Sequence, residues 1–426
     1  MNIMQFFDRI FLARYDMQHF AASLPAGIIS ITILSIFLGI VVYVKDLVSQ
    51  YYGSEQKEYC TITAWQGIYF SLFMGLILIS TFQFTSNVFV WTGHEASIIP
   101  LEKKYFFWML VSGSLSILVH ALTGFFYGIS NTKVPMIANV AANFCNIFFN
   151  WVLIFGKLGF PAMGITGAGI GTTLGQLLCL IILLYIFFQK KYRQNFQTHS
   201  LFNFNYTVIK KLIYFGLPSG FAFFLDIGQW GILFMLLGKL GEKALAAANI
   251  TVALESVSFL PIIGLATGTS IITAQEKGAG RINNIKKVLY KSFVLTFFYD
   301  IIVLLLFIGI PDLLILIFKS QVNIMYFNEI KGITIVLIRI TALWLFIDAV
   351  RIILTHVLRS LGDSYFLMLF SALGGFFLII TAYFLISQLK AGIIGSWYLI
   401  VFYVTVMGIL FFLRFIQGRW KQIKMV

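Results

Sequence analysis

Charged residues are scarce in this chain. Only 11% of its 426 residues are Asp, Glu, Lys or Arg, less than half the share found in a soluble globular domain. That excludes a soluble enzyme, and it excludes a disordered chain, whose composition is polar and highly charged. Cysteine is scarcer still. Cys60, Cys145 and Cys179 are odd in number and fall in or beside apolar runs, so they build no disulfide framework. The spacings H-E-x-x-H, G-x-S-x-G and G-x-x-x-x-G-K-[ST], which serve zinc, nucleophile and phosphate chemistry, are missing as well. We therefore expect no enzyme, no cofactor and no ATP-driven machine. Glycines do gather at 164–175 (G-I-T-G-A-G-I-G-T-T-L-G). That run lies inside an apolar helix with no strand before it, so it reads as tight helix packing and not as a phosphate loop.

What the chain has is apolar sequence: 60% hydrophobic residues and a mean hydropathy of +0.92. Twelve spans at about 20 residues each need roughly 240 residues, and the apolar runs supply them. The period-two alternation of an outer-membrane barrel is absent from these runs. The expected fold is all-α, a polytopic membrane protein of about twelve helices. The spans fall at 21–44, 60–83, 105–127, 134–155, 165–188, 212–237, 245–271, 290–318, 333–358, 365–386 and 391–416. Before them lies Met1–Leu12, counted as the first span. As a helix it rises only about 18 Å, short of the roughly 30 Å hydrocarbon core. It lacks the basic start and small-residue exit of a signal peptide, so we read it as a first helix cut short at its start.

The net charge of +14 has no basic domain behind it and implies no nucleic acid. Lys and Arg sit in short clusters between spans: eighteen on one side, counting the C-terminal tail, and nine, Lys319 among them, on the other. The richer side is expected to be cytoplasmic. The C-terminus and the polar 189–211 segment are then inside, and the chain is a multi-pass protein of the cell inner (plasma) membrane.

The two halves resemble each other. LARYDMQHFAASL (12–24) aligns with LGKLGEKALAAAN (237–249) at an offset of 225, and YGISNTKVPM (127–136) with RSLGDSYFLM (359–368) at an offset of 232. A duplicated six-helix unit follows. Six crossings bring the chain back to its starting side, so the two lobes are parallel copies about the membrane normal. The organisation is a lobe at 1–188, a cytoplasmic linker at 189–211, a second lobe at 212–416 and a basic tail at 417–426.

An ionisable side chain inside a span costs several kcal/mol and faces a cavity or a partner. The acids are Asp8 in the first span, Asp226 in the seventh, Glu255 in the eighth, Asp300 in the ninth and Asp348 in the tenth. Arg339 and Arg351 share the tenth span, while His120 and His356 lie near span ends. Arg351, one turn beyond Asp348, offers that acid a structural ion pair instead of a functional role. On the fifth span Asn139, Asn143, Asn146 and Asn150 follow spacings of 4, 3 and 4. They fall on one stripe, suited either to a hydrated cavity or to interhelical hydrogen bonding.

Several stretches resemble the multidrug and toxic compound extrusion (MATE) transporters. The most specific is N-W-V-L-I-F-G-K-L-G-F-P-A-M-G-I-T-G-A-G-I-G-T-T (150–173). G-L-P-S-G (216–220), L-A-A-A-N-I (245–250) and L-R-S-L-G-D (358–363) follow in family order. The resemblance implies a secondary antiporter of two six-helix lobes with a cleft between them. Small organic cations or drugs leave as Na⁺ or H⁺ enters, and the protein works in the lipid bilayer as a monomer. Asp8, Asp226 and Asp348 match the family's acids on the first, seventh and tenth helices. Asn146 and Asn150 match its paired polar residues on the fifth. These residues with Glu255 form the expected ion and substrate site, Asp226 and Asp348 being the expected Na⁺ ligands. The chain departs from the family at Arg351, where a neutral Gln is frequent, making it a candidate modulator. It departs again at Trp344, where a Tyr hydroxyl is lost and Glu255 is positioned to supply a carboxylate. Three other classes compete. A lipid-linked saccharide flippase of the same superfamily calls for a basic cavity, a membrane acyltransferase for a deep His or Cys, and a truncated relative for lost transport.

The charge asymmetry makes a topological prediction. Green fluorescent protein fused after Val426 is expected to fluoresce, and alkaline phosphatase fused there to stay inactive. The opposite pair of results would reverse the orientation.

Overall fold

The computed structural model describes residues 2–91, 95–318 and 324–426, apart from the side chains of 2, 3, 5, 6, 9 and 324–326. Lys319 lies outside the described residues. The chain is helical: α1 is Asn2–Tyr15, α2 Met17–Gly53, α3 Lys57–Ser80, α4 Phe82–Thr85, α5 Val88–Trp91, α6 Ile99–Gly128, α7 Lys133–Phe155, α8 Ile165–Phe187 and α9 Lys190–Phe196. It continues with α10 Tyr206–Gly238, α11 Glu242–Gly278, α12 Ile282–Gly309, α13 Pro311–Leu316, α14 Ile324–Ser360, α15 Ser364–Ser387 and α16 Gly392–Gln417. Among the described residues eleven helices are long and apolar enough to cross a membrane. They correspond one for one with the eleven spans from 21–44 onward. The fourteen-residue α1 holds the polar-bearing remainder, Asp8 included.

The helix ends run past the apolar windows, and caps explain where they stop. The Asp16 carboxylate accepts from the backbone N–H of Gln18 at 2.8 Å and His19 at 3.1 Å, satisfying donors that α2 otherwise leaves open. Gly156, with φ of 68°, closes α7 in the left-handed conformation that glycine adopts without strain. The ninth span breaks at Ile310, because Pro311 cannot continue α12 and instead starts α13. The duplication is visible in these boundaries. Both α2 and α11 are 37 residues long and begin and end 225 positions apart. The starts of α3 and α12 share that offset, and the ends of α6 and α14 share the offset of 232.

The chain divides into two compact units, the first running to Phe224 and the second from Leu225 to Met425, so the division falls inside α10. In the first unit α6 is central: it packs on α2, α3 and α8, while α7 pairs with α8 and α1 lies on α7. In the second unit α14 is central, against α11, α12 and α16. Apolar burial does not drive helix association in lipid, so close backbone approach must. The α2–α6 interface shows how. A Cβ added at Gly124 would stand 3.0 Å from the Lys45 nitrogen, and one at Gly128 would stand 2.6 Å from the Val48 Cβ. The glycine run of α8 does the same against α7, where a Cβ at Gly167 would meet the Leu153 carbonyl carbon at 2.7 Å. Away from these seams the helices present apolar side chains outward, as Leu305, Phe376 and Ile380 do.

The segments read as linker and tail are both docked. Thr61 on α3 donates to the Phe196 carbonyl at 2.6 Å. Trp65 donates to Thr198 and Gln66 to Asn203, so the 189–211 segment is strapped along α3 of the first unit. Trp420 is fully buried in the second unit and stacks on Phe415. Lys277 ties the tail down by donating to the carbonyls of Leu361 at 2.6 Å and Trp420 at 2.9 Å.

The glycine seam makes the second prediction. Gly128→Leu forces α2 and α6 apart and is expected to cost on the order of 1–3 kcal/mol. Gly268→Ala on α11, with nothing within 4 Å of the new methyl, is expected to change stability by at most about 1 kcal/mol, in the stabilising direction. Thermal unfolding in detergent, followed by thiol labelling of the buried Cys60 and Cys179, checks both. Equal melting temperatures in the two variants would refute the seam.

Candidate functional site

Among the described residues each unit holds a polar cluster, built on its intramembrane acid or acids, in its helical interior. In the first, α1 carries Asp8, fully buried, against α7 and α8. Thr172 on α8 donates to the Asp8 carboxylate at 2.9 Å, Tyr105 on α6 at 3.4 Å, and the Asn150 amide on α7 also donates to it. Asn146 donates to Thr172 at 3.0 Å, extending the chain by one link. Among the described residues the carboxylate thus receives three donors, all of them neutral. Gly171 makes room for this arrangement: a Cβ there would collide with the Asn150 carbonyl oxygen. The carboxamide oxygens of Asn146 and Asn150 are buried and accept no hydrogen bond among the described residues. Together with Asp8 they form an acceptor-rich cluster.

The asparagine stripe of α7 therefore splits. Asn146 and Asn150 are buried at the acid, whereas Asn139 and Asn143 donate to the carbonyls of Pro135 and Asn139 one turn back on their own helix. Spacing placed all four on one face. It could not say how far along that face the neighbouring helices reach. His120 likewise turns to its own helix, its Nδ1 lying 2.8 Å from the Ser116 carbonyl.

The second unit gathers four acids and an arginine from α10, α11, α12 and α14. The Arg351 Nε donates to the Asp348 Oδ1 at 2.5 Å, an i,i+3 pair with both side chains largely buried. Arg351 also lies within electrostatic reach of Asp226 and Tyr403. Asp226 accepts from the Gln229 amide at 2.8 Å, and that same amide donates to the Tyr403 hydroxyl at 3.1 Å. Gly375 on α15 leaves the space in which the Gln229 side chain lies. Glu255 accepts from the Trp344 indole at 2.9 Å and feels both Asp348 and Arg351. The departure at Trp344 thus substitutes an N–H donor to the neighbouring acid for a hydroxyl. Asp300 on α12 is buried and close enough to Asp348 to feel its charge. Arg339, by contrast, stands exposed on α14, near Asp312.

Among the described residues four acids stand against one arginine here, and each acid that is ionised attracts a cation strongly where water is excluded. Among the described residues no group of three or more His, Cys, Asp or Glu side chains converges closely enough to hold a metal ion. A coupling ion here would take its oxygens from one or two carboxylates together with hydroxyl and carbonyl groups. Sequence reasoning missed Tyr105, Thr172, Gln229 and Tyr403, neutral residues whose role appears only once their helices are packed. Gln229 alone carried a signal, at i+3 from Asp226.

A model of the MatE family matches residues 1–152 and 218–384. The chain is 23% identical over 401 residues to the probable multidrug resistance protein NorM of Thermotoga maritima, covering 93% of this chain and 83% of that one. It is 24% identical over 423 residues to the probable multidrug resistance protein NorM of Photorhabdus laumondii, covering 96% and 90%. A solved structure described as the outward-facing conformation of a multidrug resistance MATE family transporter of the MOP superfamily superposes with a TM-score of 0.87 at 19% identity, over 97% of this chain and 91% of that one. A MOP superfamily transporter from Pyrococcus furiosus, described by the reverse polarity of its binding pocket, superposes with a TM-score of 0.85 at 18% identity, over 99% and 92%. The fold is thus shared by pockets of different polarity, and the sign of the charge has to be read from this chain's own residues.

The Arg351–Asp348 pair makes a prediction about stability. Asp348→Asn leaves a buried guanidinium without its counter-charge and is expected to cost about 3–5 kcal/mol. Adding Arg351→Gln removes the stranded charge and is expected to restore most of that loss. A double variant that melts no higher than the single one would show that the two side chains are not energetically coupled.

Proposed function

Because this chain belongs to the MatE family of multidrug and toxic compound extrusion transporters, we propose that it exports organic cations in exchange for Na⁺ or H⁺ across the inner membrane, with its C-terminus in the cytoplasm. The observation that carries the proposal is the acidic cluster of the second unit: Asp226, Glu255, Asp300 and Asp348, with Arg351 the one cation among them in the described residues. An anionic phospho-saccharide headgroup would be repelled by that interior, whereas a cation would be drawn to it.

The chemistry of exchange follows from competition for the same carboxylates. Leaving several acids uncompensated in a low-dielectric interior is costly, so the cluster takes up a cation, and uptake of one kind favours release of another. Arg351 serves as a tethered competitor. While its guanidinium is on Asp348 that oxygen is occupied, and an entering cation gains a second carboxylate only if the arginine turns toward Asp226. In the first unit, Asp8 with the oxygens of Asn146 and Asn150 supplies a second place for a coupling ion. The names of the two NorM relatives agree with multidrug export as the direction and scope of transport.

The test is efflux of ethidium from energised cells, normalised to protein in the membrane. Asp226→Asn and Asp348→Asn are expected to lower the ion-driven rate at least about tenfold, the loss of roughly 1.4 kcal/mol or more of coupling. Wild-type rates in both would sink the assignment. Arg351→Gln is expected to tighten Na⁺ binding in isothermal titration, or to shift the pH midpoint of efflux upward. If neither moves, Arg351 does not compete with the transported ion.

A further inference from the structure

The duplication gives two helix faces the same place in their units, and the chain treats them differently. On α3, Thr61, Trp65, Gln66 and Tyr69 each donate to a backbone carbonyl of the 189–211 segment, those of Phe196, Thr198, Asn203 and Phe202. At the offset of 225 that relates the starts of α3 and α12, these positions become Lys286, Tyr290, Lys291 and Val294. The inward positions keep register: Cys60 and Ala64 correspond to Ile285 and Leu289, and all four are buried. The outward positions do not. Thr61, Trp65 and Gln66 are buried or half-buried under the strap, whereas Lys286, Lys287, Tyr290 and Lys291 are exposed, Tyr290 by 69%. The residues after α16 do not take the strap's place, because Ile423 and Met425 lie against Gly362 in the turn after α14.

The change of residue type specifies a change of occupant. Neutral N–H and O–H donors suit the neutral carbonyls of a peptide strap, and ammonium groups suit oxygens that carry charge. The nearby acid Glu276 is already committed, accepting from Arg281 at 2.8 and 3.0 Å and from Asn284 at 2.9 Å. Lys277 is turned inward to the carbonyls of Leu361 and Trp420. At about 100° per residue, positions 286, 287, 290 and 291 share one outward arc with Phe297, Phe298 and Ile302, which are exposed as well. Phe298 lies about 10 Å along the helix from Lys291. The face thus carries ammonium groups at its start and aromatic and aliphatic groups one headgroup's depth below. A soluble anion would use only the first part, whereas a phospholipid uses both. The lysines also stand on the side expected to be cytoplasmic, the leaflet whose anionic lipids attract basic segments.

We propose that the first three turns of α12 form a binding site for an anionic phospholipid, with Lys286, Lys287 and Lys291 on the headgroup phosphate and the acyl chains along Phe297 and Phe298. Tyr290 sits between the two parts, at the level where amphipathic rings favour the membrane–water boundary. The lipid takes on α12 the place that the 189–211 segment takes on α3. One copy of the scaffold is covered by its own chain, and the other draws its cover from the bilayer. The proposal does not depend on what the protein exports.

The purified full-length protein is titrated in detergent with palmitoyl-oleoyl phosphatidylglycerol, and separately with the phosphatidylcholine of the same chains, and bound lipid is counted by native mass spectrometry. The wild type is expected to bind the anionic lipid at least about tenfold more tightly. Joint replacement by Lys286→Gln, Lys287→Gln and Lys291→Gln is expected to remove most of that preference, and Lys→Arg at the same three positions to keep it. Lys190→Gln, Lys191→Gln and Arg193→Gln together remove the same charge from exposed positions of α9 and are expected to leave the preference in place. Equal losses in the two glutamine triples would reduce the effect to diffuse charge and overturn the site. A phosphatidylglycerol with a photoreactive diazirine in its acyl chain is expected to label α12 between Val294 and Leu305 in the wild type. Labelling that falls elsewhere, or that is unchanged in the α12 glutamine triple, would overturn the placement. Displacement of the bound lipid by glycerol 3-phosphate at equal concentration would overturn the lipid as occupant.

Discussion

The cost of holding a charge away from water governs this molecule. In a chain whose helices face hydrocarbon, a buried carboxylate needs donors, and where these come from other helices, those helices must be fixed at hydrogen-bonding distance. Asp8 illustrates the consequence. Its three donors come from α6, α7 and α8, so one side chain on the short α1 fastens that helix to three neighbours. The acid thus does in the first unit what a hydrophobic core does in a soluble domain: it makes one helical arrangement better than the alternatives. Neutral donors stabilise a carboxylate without cancelling its charge.

Hydrogen bonds of that length require backbones to be close, and close backbones require small residues. The glycine run on α8 is therefore not separate from the site. Gly167 lets α8 meet α7 near Leu153, and Gly171 leaves the volume that the Asn150 carboxamide occupies beside Asp8. Thr172, the next residue, then faces the acid. Packing and chemistry are written into the same few residues, which is why a stretch that looks structural by composition lies against the polar centre of its unit. The same relation holds in the second unit, where Gly375 admits Gln229 and so fixes the bridge from Asp226 to Tyr403.

Much of this was readable from the residues. Eleven spans could be drawn because apolar runs interrupted by Lys and Arg have one physical meaning in a bilayer, and the five intramembrane acids stood out because each is costly. The parts that escaped were those whose signal is weak in one dimension. Helices α2 and α11 run to Gly53 and Gly278, well beyond the apolar windows that ended near 44 and 271. Their last turns are polar yet still packed, with Lys45, Asp46 and Gln50 buried. Hydropathy marks where a helix leaves the lipid, not where it leaves the protein. The 189–211 segment reads as a tether because it is polar. Its attachment to α3 is made by Thr61, Trp65 and Gln66, whose donors point at backbone carbonyls that no pattern reveals. Thr172 and Tyr105 are ordinary residue types in a membrane helix, and only the approach of α1 gives them an acid to serve.

The duplication sharpens the contrast between the two polar centres. Helices α2 and α11, which correspond by an offset of 225 residues, keep the same length, so the scaffold was copied, but the chemistry on it was not. In the first unit the acid is on the short α1 and is met by two hydroxyls and an amide. In the second, acids come from four helices and one of them is met by a guanidinium. A neutral donor set stabilises a carboxylate while leaving its charge available, whereas an arginine cancels that charge and must be displaced before a cation gains anything from it. The first centre can therefore respond to a cation by simple binding, and the second only by exchanging one positive charge for another. An exchanger needs both behaviours. An ion must be able to enter a site without an incumbent, and the substrate site must refuse to be empty. If the chain exchanges cations as proposed, divergence after duplication places those two requirements on separate copies of one scaffold.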